Sequence, residues 1–290
     1  MVSYIGAVEK TRTSTGLPPQ RPQRCASTNS ATTASSHSRV LKEITNLNTE
    51  SKITFHLFSF SVKKEGMNPL HIQTRYTPEP IPYEAGLVWM QTWHQHMVEG
   101  TAEPLLWFLQ HTPVYTLGSS GSRHDILGAT TIPVVETGRG GQVTYHGPGQ
   151  RVVYLMLPLQ TMGLDPKQYV FKLETWLIAA LGALGIVGGR RSGRVGVWVE
   201  TVRGDEKIAA IGVRVRKHIT LHGIALNVST DVTPYNNIVP CGLSQFGVTS
   251  IDRLTPGVTM AAVDRVLCEY FQAVFGVMLH PLDDDPIYEV

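Results

Sequence analysis

Apolar residues return every three or four positions along one stretch of the chain: Tyr169, Val170, Leu173, Trp176, Leu177, Ala180, Leu181 and Leu184. That spacing predicts an amphipathic helix. Asp165 stands at its N-cap, Pro166 at the first helical position, and Gly185 stops it. The same period predicts a helix from Tyr83, with Leu87, Met90, Trp93, His94 and Met97 in register and Gly100 as its end. A last helix, near Thr259 to Phe275, presents Val263, Val266, Leu267, Tyr270, Phe271 and Val274. Cys268 lies beside that face and reads as a small structural residue. These stripes are core.

Elsewhere the pattern shortens to strand type. Glu103 to Leu117 reads as a strand, with Pro104 at its start and His111-Thr112-Pro113 interrupting it. Pro133 to Glu136 is a short strand, and Val152 to Leu157 another. Val195 to Val202, Lys207 to Val215 and Ile219 to Val228 form an antiparallel meander. Its turns are Arg203-Gly204-Asp205 and Arg216-Lys217-His218. Within its second strand Val213 and Val215 point one way, Arg214 and Arg216 the other. Gly188 to Arg194 reads as a basic, glycine-containing loop. Together the elements predict one domain of mixed strands with flanking helices.

The first 66 residues do not share this patterning. Pro18, Pro19 and Pro22 precede a Ser/Thr-rich stretch, Ala26 to Ser38, with almost no large apolar residue, and residues 1–50 are expected to be disordered. Ile53, Phe55 and Leu57 alternate with polar residues, but Phe58-Ser59-Phe60 breaks the rhythm and no element is assigned. Residues 1–66 hold nine Lys/Arg against four Asp/Glu, whereas the whole chain carries +2, so residues 67–290 carry −3. The basic, Ser/Thr-rich tail fits an organellar transit peptide. An over-extended start is the simpler reading, with the compact protein beginning at Met67. The near-neutral remainder does not suggest a nucleic-acid binder. No apolar run reaches membrane-spanning length. Three widely spaced cysteines, Cys25, Cys241 and Cys268, argue against a disulfide framework, and no metal-ligand spacing appears.

The chemistry concentrates between Gly138 and Gln150, where five glycines stand among Arg139, Gln142, Thr144, Tyr145 and His146. Gly140 and Gly141 allow positive φ or a ligand lying against bare backbone. Gly147-Pro148-Gly149 is a turn into the following strand. Cys241, held between Pro240 and Gly242, is presented by a fixed turn. A free thiol with a pKa of ~8.5 is mostly protonated at neutral pH, so it needs a helper. His146 or His222 could act as a base, as in a thiol hydrolase. Lys207, beside the small apolar run Ile208-Ala209-Ala210-Ile211, could stabilise the thiolate instead. Spacing alone does not choose between them.

Four segments occur in order: Arg139 to His146, Lys207 to Gly212, His222 to Asn227, and Ile238 to Gly242. Together they resemble the lipoyl(octanoyl) transferase family, the octanoyl-carrier-protein:protein octanoyltransferases of lipoate synthesis, over about Leu87 to Leu254. The resemblance implies an α/β fold of α+β type, like that of biotin protein ligases and lipoate ligases. It would have a mixed, largely antiparallel sheet with flanking helices, forming a single catalytic domain over residues 67–290. It implies that Cys241 bears an acyl thioester and that Lys207 lowers the thiol pKa and shuttles protons. Arg139, Gly140, Gly141, Gln142, Val143, Thr144, Tyr145 and His146 would line the acyl and lysine site. Ala210, Ile211, Gly212, Gly223, Ile224 and Ala225 would form its other walls. Small residues suit a narrow slot for an unbranched chain.

The implied donor is octanoyl-acyl carrier protein. The implied acceptors are lipoyl domains of 2-oxoacid dehydrogenase complexes and the glycine cleavage H protein. No cofactor, metal, nucleic acid or membrane is expected. The expected compartment is the cytoplasm, or a mitochondrion or plastid if residues 1–66 are a transit peptide. His218 departs from the family's aromatic or glycine at that turn. Arg190, Arg191 and Arg194, with Arg214, Arg216 and Lys217, are expected to steer docking of acidic partners. The rival readings are an ATP-dependent lipoate-type ligase, a Cys/His thiol hydrolase, and a non-enzymatic acyl-binding module.

Overall fold

A computed structural model of the chain describes residues 69–239 and 246–282. The expectations for residues 1–66, and Cys241 itself, lie outside these residues. In chain order the elements are β1 (His71–Tyr76), α1 (Tyr83–Glu99), β2 (Leu105–Leu109), β3 (Val114–Leu117), β4 (Val134–Glu136), β5 (Val143–His146), β6 (Gln150–Met156) and α2 (Pro166–Ala183). There follow β7 (Gly188–Arg191), β8 (Arg194–Thr201), β9 (Gly204–Arg216), β10 (Ile219–Asn227), β11 (Gly247–Val248), α3 (Ile251–Leu254), α4 (Met260–Phe275) and β12 (Met278–Pro281).

The helices begin and end where their capping residues dictate. At the start of α2, the Asp165 carboxylate accepts from the amides of Lys167 and Gln168, and the Gln168 side chain accepts from the Asp165 amide. Gly100 closes α1 in the left-handed region, its amide donating to the carbonyls of His96 and Met97. Thr259 caps α4 by accepting from the Ala262 amide.

Among the described residues nine strands form the main sheet, in the order β12-β1-β2-β6-β10-β9-β8-β7, with β11 attached to β9. The β12–β1, β1–β2 and β11–β9 pairs are parallel and the others antiparallel. The expected meander is β8-β9-β10. Strand alternation divides the sheet between two cores. Leu106 and Phe108 of β2, with Val153 and Leu155 of β6, meet Trp176 and Leu177 of α2 and Leu267 and Phe271 of α4. Leu105, Trp107 and Leu109, with Val152, Tyr154 and Met156, meet Trp89, Met90 and Trp93 of α1. Between α2 and α4, Trp176 Nε1 donates to the Leu267 carbonyl at 2.7 Å. Cys268, beside the α4 stripe, is half-buried and shares a hydrogen bond with the Tyr76 hydroxyl at 3.0 Å.

Two expectations need correction. Glu103 to Leu117 is two strands in two sheets: β2 belongs to the main sheet, while β3 is the centre of a small sheet ordered β4-β3-β5. The chain crosses between them at His111, whose ring is fixed by the Ile81 carbonyl and the Tyr154 hydroxyl. Gly188 to Arg194 is a hairpin, not a loop. Its strand β7 is the sheet edge, paired with β8 through Gly188–Val199 and Arg191–Arg194. An edge strand of glycines and arginines shows no apolar alternation, so pairing alone reveals it. In the β9–β10 turn Lys217 and His218 have φ of 49° and 64°. Two-residue hairpin turns require this left-handed pair, which is why glycine suits the second position. Among the described residues no helix is long and apolar enough to cross a membrane.

Candidate active site

A cavity of about 280 Å³ lies on the α1 side of the main sheet, under the loop that joins β4 to β5. The loop is pinned from within. Arg139 is buried, and its Nη2 donates to the carbonyls of Thr116 (2.6 Å) and Gln142 (2.7 Å), while Nε donates to Thr116 Oγ1 at 3.0 Å. Its Nη1 donates to the Gly140 carbonyl at 2.9 Å. Arg139 lines the cavity, and these bonds use its guanidinium to shape the loop itself. Gly140 then lies directly on β9, its amide 3.2 Å from the Val213 carbonyl. A Cβ at Gly140 would sit 2.9 Å from that same oxygen, so only glycine permits the approach.

The floor is β9 and β10. Gly212 pairs with Gly223, and Ala210 with Ala225. A Cβ on Gly223 would collide with the Val153 carbonyl. The floor is therefore bare backbone and methyl groups. Ile211 and Ile224 contribute backbone only, since their side chains pack into the α2/α4 core.

Lys207 reaches this side of the sheet because alternation fails once. Val197 pairs with Ala209 and Trp198 with Lys207, which leaves Ile208 as an extra residue in β9. Such a bulge shifts the phase of every residue beyond it. Ile208 and Ala209 both enter the helix-side core, and Lys207 shares the cavity with Ala210 and Gly212. An unbulged strand would have turned Lys207 away. Its Nζ donates to the Val195 carbonyl at 3.2 Å and lies 4.8 Å from the Trp198 ring centroid. The chain returns against it at β11, where Val248 pairs with Lys207.

A second departure brings His222 to the same cavity. This residue has φ of 61° inside β10, a left-handed conformation rare for histidine. Its Nδ1 has no hydrogen-bond partner among the described residues. Burial, and then the nearby Arg139 and Arg214 cations, hold its pKa down to about 4. His146 donates through Nδ1 to Gln150 Oε1 at 2.6 Å, and its Nε2 has no partner among the described residues. Burial, with His111 and Arg139 adding, pushes its pKa well below the usual imidazole range. His111 stands behind the wall: its Nδ1 donates to the Ile81 carbonyl and its Nε2 accepts from Tyr154 at 2.7 Å. Burial lowers His111 to about 4. All three imidazoles are neutral at pH 7.

Of the residues read from sequence, Arg139 to Thr144, His146, Lys207, Ala210 to Gly212 and Gly223 to Ala225 line one cavity. Tyr145 does not. Strand alternation in β5 turns its ring into the core of the small sheet, against Tyr115 and Tyr235. Cys241 falls outside the described residues. Sequence reasoning missed Tyr83, Tyr154, Asn227 and Tyr235, which also line the cavity. Gln150 joins three of the groups here, donating to Asn227 Oδ1 at 2.9 Å and to the Tyr235 hydroxyl at 3.3 Å and accepting from His146. The only hint was polar residues in otherwise apolar strands, Tyr154 in β6 and Asn227 in β10. Among the described residues no group of side chains could hold a metal ion.

Solved structures share this architecture. A bipartite lipoate protein ligase system from Thermoplasma acidophilum matches with a TM-score of 0.56 at 15% identity, over 76% of this chain and 88% of that one. Lipoate-protein ligase A bound with ATP matches with 0.56 at 15%, over 74% and 90%. The fold class is that of the lipoate-protein ligases. The family profile described as the lipoyl protein ligase A/B catalytic domain matches residues 82–272. Octanoyltransferase of Parvibaculum lavamentivorans is 48% identical over 206 residues, covering 70% of this chain and 92% of that protein. Octanoyltransferase of Paramagnetospirillum magneticum is 46% identical over 206 residues, covering 71% and 97%. The chain belongs to the lipoyl protein ligase A/B catalytic-domain family, as an acyltransferase of the octanoyltransferase kind.

Proposed function

We propose that this chain moves an octanoyl group from octanoyl-acyl carrier protein to a lysine of a lipoyl domain, through a thioester on Cys241. The observation that carries the reading is the bulge at Ile208. It delivers a lysine to a glycine-floored cavity in a chain whose relatives are octanoyltransferases. Cys241 precedes Val248, the residue paired with Lys207, by seven positions.

The Cys241 thiolate attacks the octanoyl carbonyl and forms a C–S bond. The bond to the pantetheine sulfur breaks, and that sulfur leaves as a thiol with a proton from Lys207. The acceptor lysine, as a free amine, then attacks the Cys241 thioester. An amide forms as the C–S bond breaks, the Cys241 sulfur leaves as the thiolate, and neutral Lys207 takes the amine's proton, which restores the starting pair. The ammonium of Lys207 favours the thiolate before the first step. His222, held to about 4, is a poor general base at pH 7, which favours lysine over histidine as the partner.

The test is intact mass after mixing with octanoyl carrier protein. An octanoyl adduct on the wild-type chain, absent in Cys241→Ala and lost as an amide to added lipoyl domain without ATP, supports the reading. A requirement for ATP would move it to the ligase. Release of free octanoate with no transfer would move it to the hydrolase. In the same assay a chain starting at Met67 should fold and transfer, since we place the catalytic domain at residues 67–290. Lys207→Ala should raise the pH at which iodoacetamide alkylates Cys241; a shift seen only with His146→Ala or His222→Ala would overturn the dyad.

A further inference from the structure

The amine of Lys207 donates to a peptide group that is gripped from the opposite side of the sheet. Lys207 Nζ donates to the carbonyl of Val195. The N–H of the same peptide belongs to Gly196 and donates to Glu174 Oε1 at 3.1 Å. Glu174 comes from α2, where it interrupts an apolar face made by Leu173, Trp176 and Leu177. Its side chain is nearly buried, and its second oxygen accepts from Arg190 Nε at 2.8 Å. A carboxylate in that position is costly unless both oxygens are bonded. Here one oxygen is held by the guanidinium and the other by the peptide under Lys207.

Gly196 makes the connection possible. Its φ of 116° lies in a region side chains avoid. A Cβ there would sit 2.6 Å from the Ala209 carbonyl, in the bulge, and 3.5 Å from Lys207 Cε. The bulge, the glycine and the acid therefore meet at one place. A charged acceptor on the N–H polarises the amide and strengthens its carbonyl as an acceptor.

We propose that Glu174 is a positioning residue for Lys207, acting through the Val195–Gly196 peptide, and that Gly196 is the only residue type this coupling tolerates. The inference rests on the Lys207–Cys241 reading given above. Glu174 touches neither substrate nor thiol. It fixes where the lysine amine stands when the thiolate forms.

The experiment is a double-mutant cycle on the full-length chain, read by Cys241 alkylation against pH and by octanoyl transfer kinetics. Glu174→Ala should lower kcat roughly tenfold with the KM for octanoyl carrier protein unchanged. It should move the alkylation profile to higher pH, in the direction of Lys207→Ala. Combined with Lys207→Ala it should add no further shift. Glu174→Gln keeps an oxygen for the Gly196 amide and should recover most of kcat. Should Glu174→Ala fail to fold, the same cycle is run with Glu174→Gln, whose smaller shift should also vanish beside Lys207→Ala. Gly196→Ala should behave like Glu174→Ala in kcat. Additive shifts, or an unmoved profile in the Glu174 variants while Lys207→Ala moves it, would overturn the inference. An unmoved profile in Lys207→Ala itself would remove the dyad, and the inference with it.

Discussion

The two faces of the main sheet are built from the same strands and differ in what they bury. Toward α2 and α4 the buried groups are almost entirely apolar: Leu106, Phe108, Val153, Leu155, Trp176, Leu177, Leu267 and Phe271. Toward α1 and the loop, the sheet buries His111, His146, His222, Arg139, Gln150 and Asn227. Alternation along β2, β6 and β10 assigns one residue to each face in turn, so neither face can be changed without touching the other's strands. The first face supplies apolar burial, the main driving force for folding. The second holds polar groups out of water and keeps its imidazoles neutral, which lowers stability unless each group is bonded. Apolar burial is thereby shared by both faces, since Trp89, Met90 and Trp93 of α1 pack on β2 and β6, while the buried polar groups, and the reactivity with them, gather on the second face. Glu174 is an exception on the first face, and its partners are Arg190 and the peptide beside Lys207.

The largest effect should come from the helix face. Trp176 is fully buried, edge-on to Phe271 at 5.0 Å, and bonded to the Leu267 carbonyl. Trp176→Ala should cost about 3–5 kcal/mol of stability by denaturant titration. Transfer per folded molecule at low temperature should stay near wild type. A catalytic loss at full folding would break the division between the faces.

The next effect belongs to the histidines. An unfolded histidine titrates near ~6.5, while His111 and His222 in the fold titrate at about 4. Between those values the unfolded chain binds more protons, so stability rises with pH across the window and is level above it. Acidification from pH 7 through that window should therefore destabilise the protein by on the order of 1–3 kcal/mol per histidine. His222→Asn tests this cleanly, because asparagine tolerates the left-handed backbone that His222 occupies. Its unfolding free energy should fall less steeply between pH 6.5 and 4.5. An unchanged slope would mean that this face is not the acid-labile one.

A smaller change in stability, with a larger one in activity, is expected at Gly212. A Cβ there would meet the Gly140 carbonyl at 3.1 Å and Arg139 Cδ at 3.4 Å. The loop must give by a few tenths of an ångström, and the floor of the cavity rises by a methyl group. Gly212→Ala should lose less than about 1 kcal/mol of stability while KM for the acyl donor rises severalfold. Equal losses in both would show that the glycine floor is a packing device only.

The helix face was the legible one. Its stripes at Tyr169 to Leu184 and Val263 to Val274 name their own period, and Asp165, Pro166 and Gly185 mark their own boundaries. The meander was legible for the same reason, through its turns. The cavity was legible as motifs: Gly140 and Gly141 stand out in a glycine cluster that suits a close approach, and Gly212 and Gly223 entered through the resemblance to the octanoyltransferase family. Its placement was not. Sequence has no sign for an extra residue at Ile208 or a left-handed His222, and both break the alternation that pattern reading relies on. His111 was read as an interruption, because its bond to Tyr154 joins residues far apart in the chain. Strand β7 was missed because pairing, not pattern, creates it.

Charge gives the smallest effect and sharpens the comparison last. The six basic residues expected to steer docking separate into two groups. Arg190 is bonded to Glu174, Thr175 and the Phe171 carbonyl and stacks 3.8 Å from the Phe171 ring centroid. Arg191 and Arg194 share Asp205, whose carboxyl the hydrogen bond from Arg191 holds below its usual pKa. These three cations are already engaged by two carboxylates of the fold, Glu174 and Asp205. Arg214, Arg216 and Lys217 are exposed at the β9–β10 tip and make no ion pair among the described residues. Arg214 also lies against Gly138, at the start of the loop over the cavity. Uncompensated surface charge acts on association more than on affinity. Reversing Arg216 and Lys217 to glutamate should therefore slow transfer from an acidic carrier protein by a few-fold at low salt, and flatten its salt dependence, with stability unchanged. Reversing Arg191 should leave Asp205 facing a like charge and lower stability instead. If both reversals alter the salt dependence alike, the tip is not the whole docking surface, and the hairpin of β7 and β8 contributes to it as well.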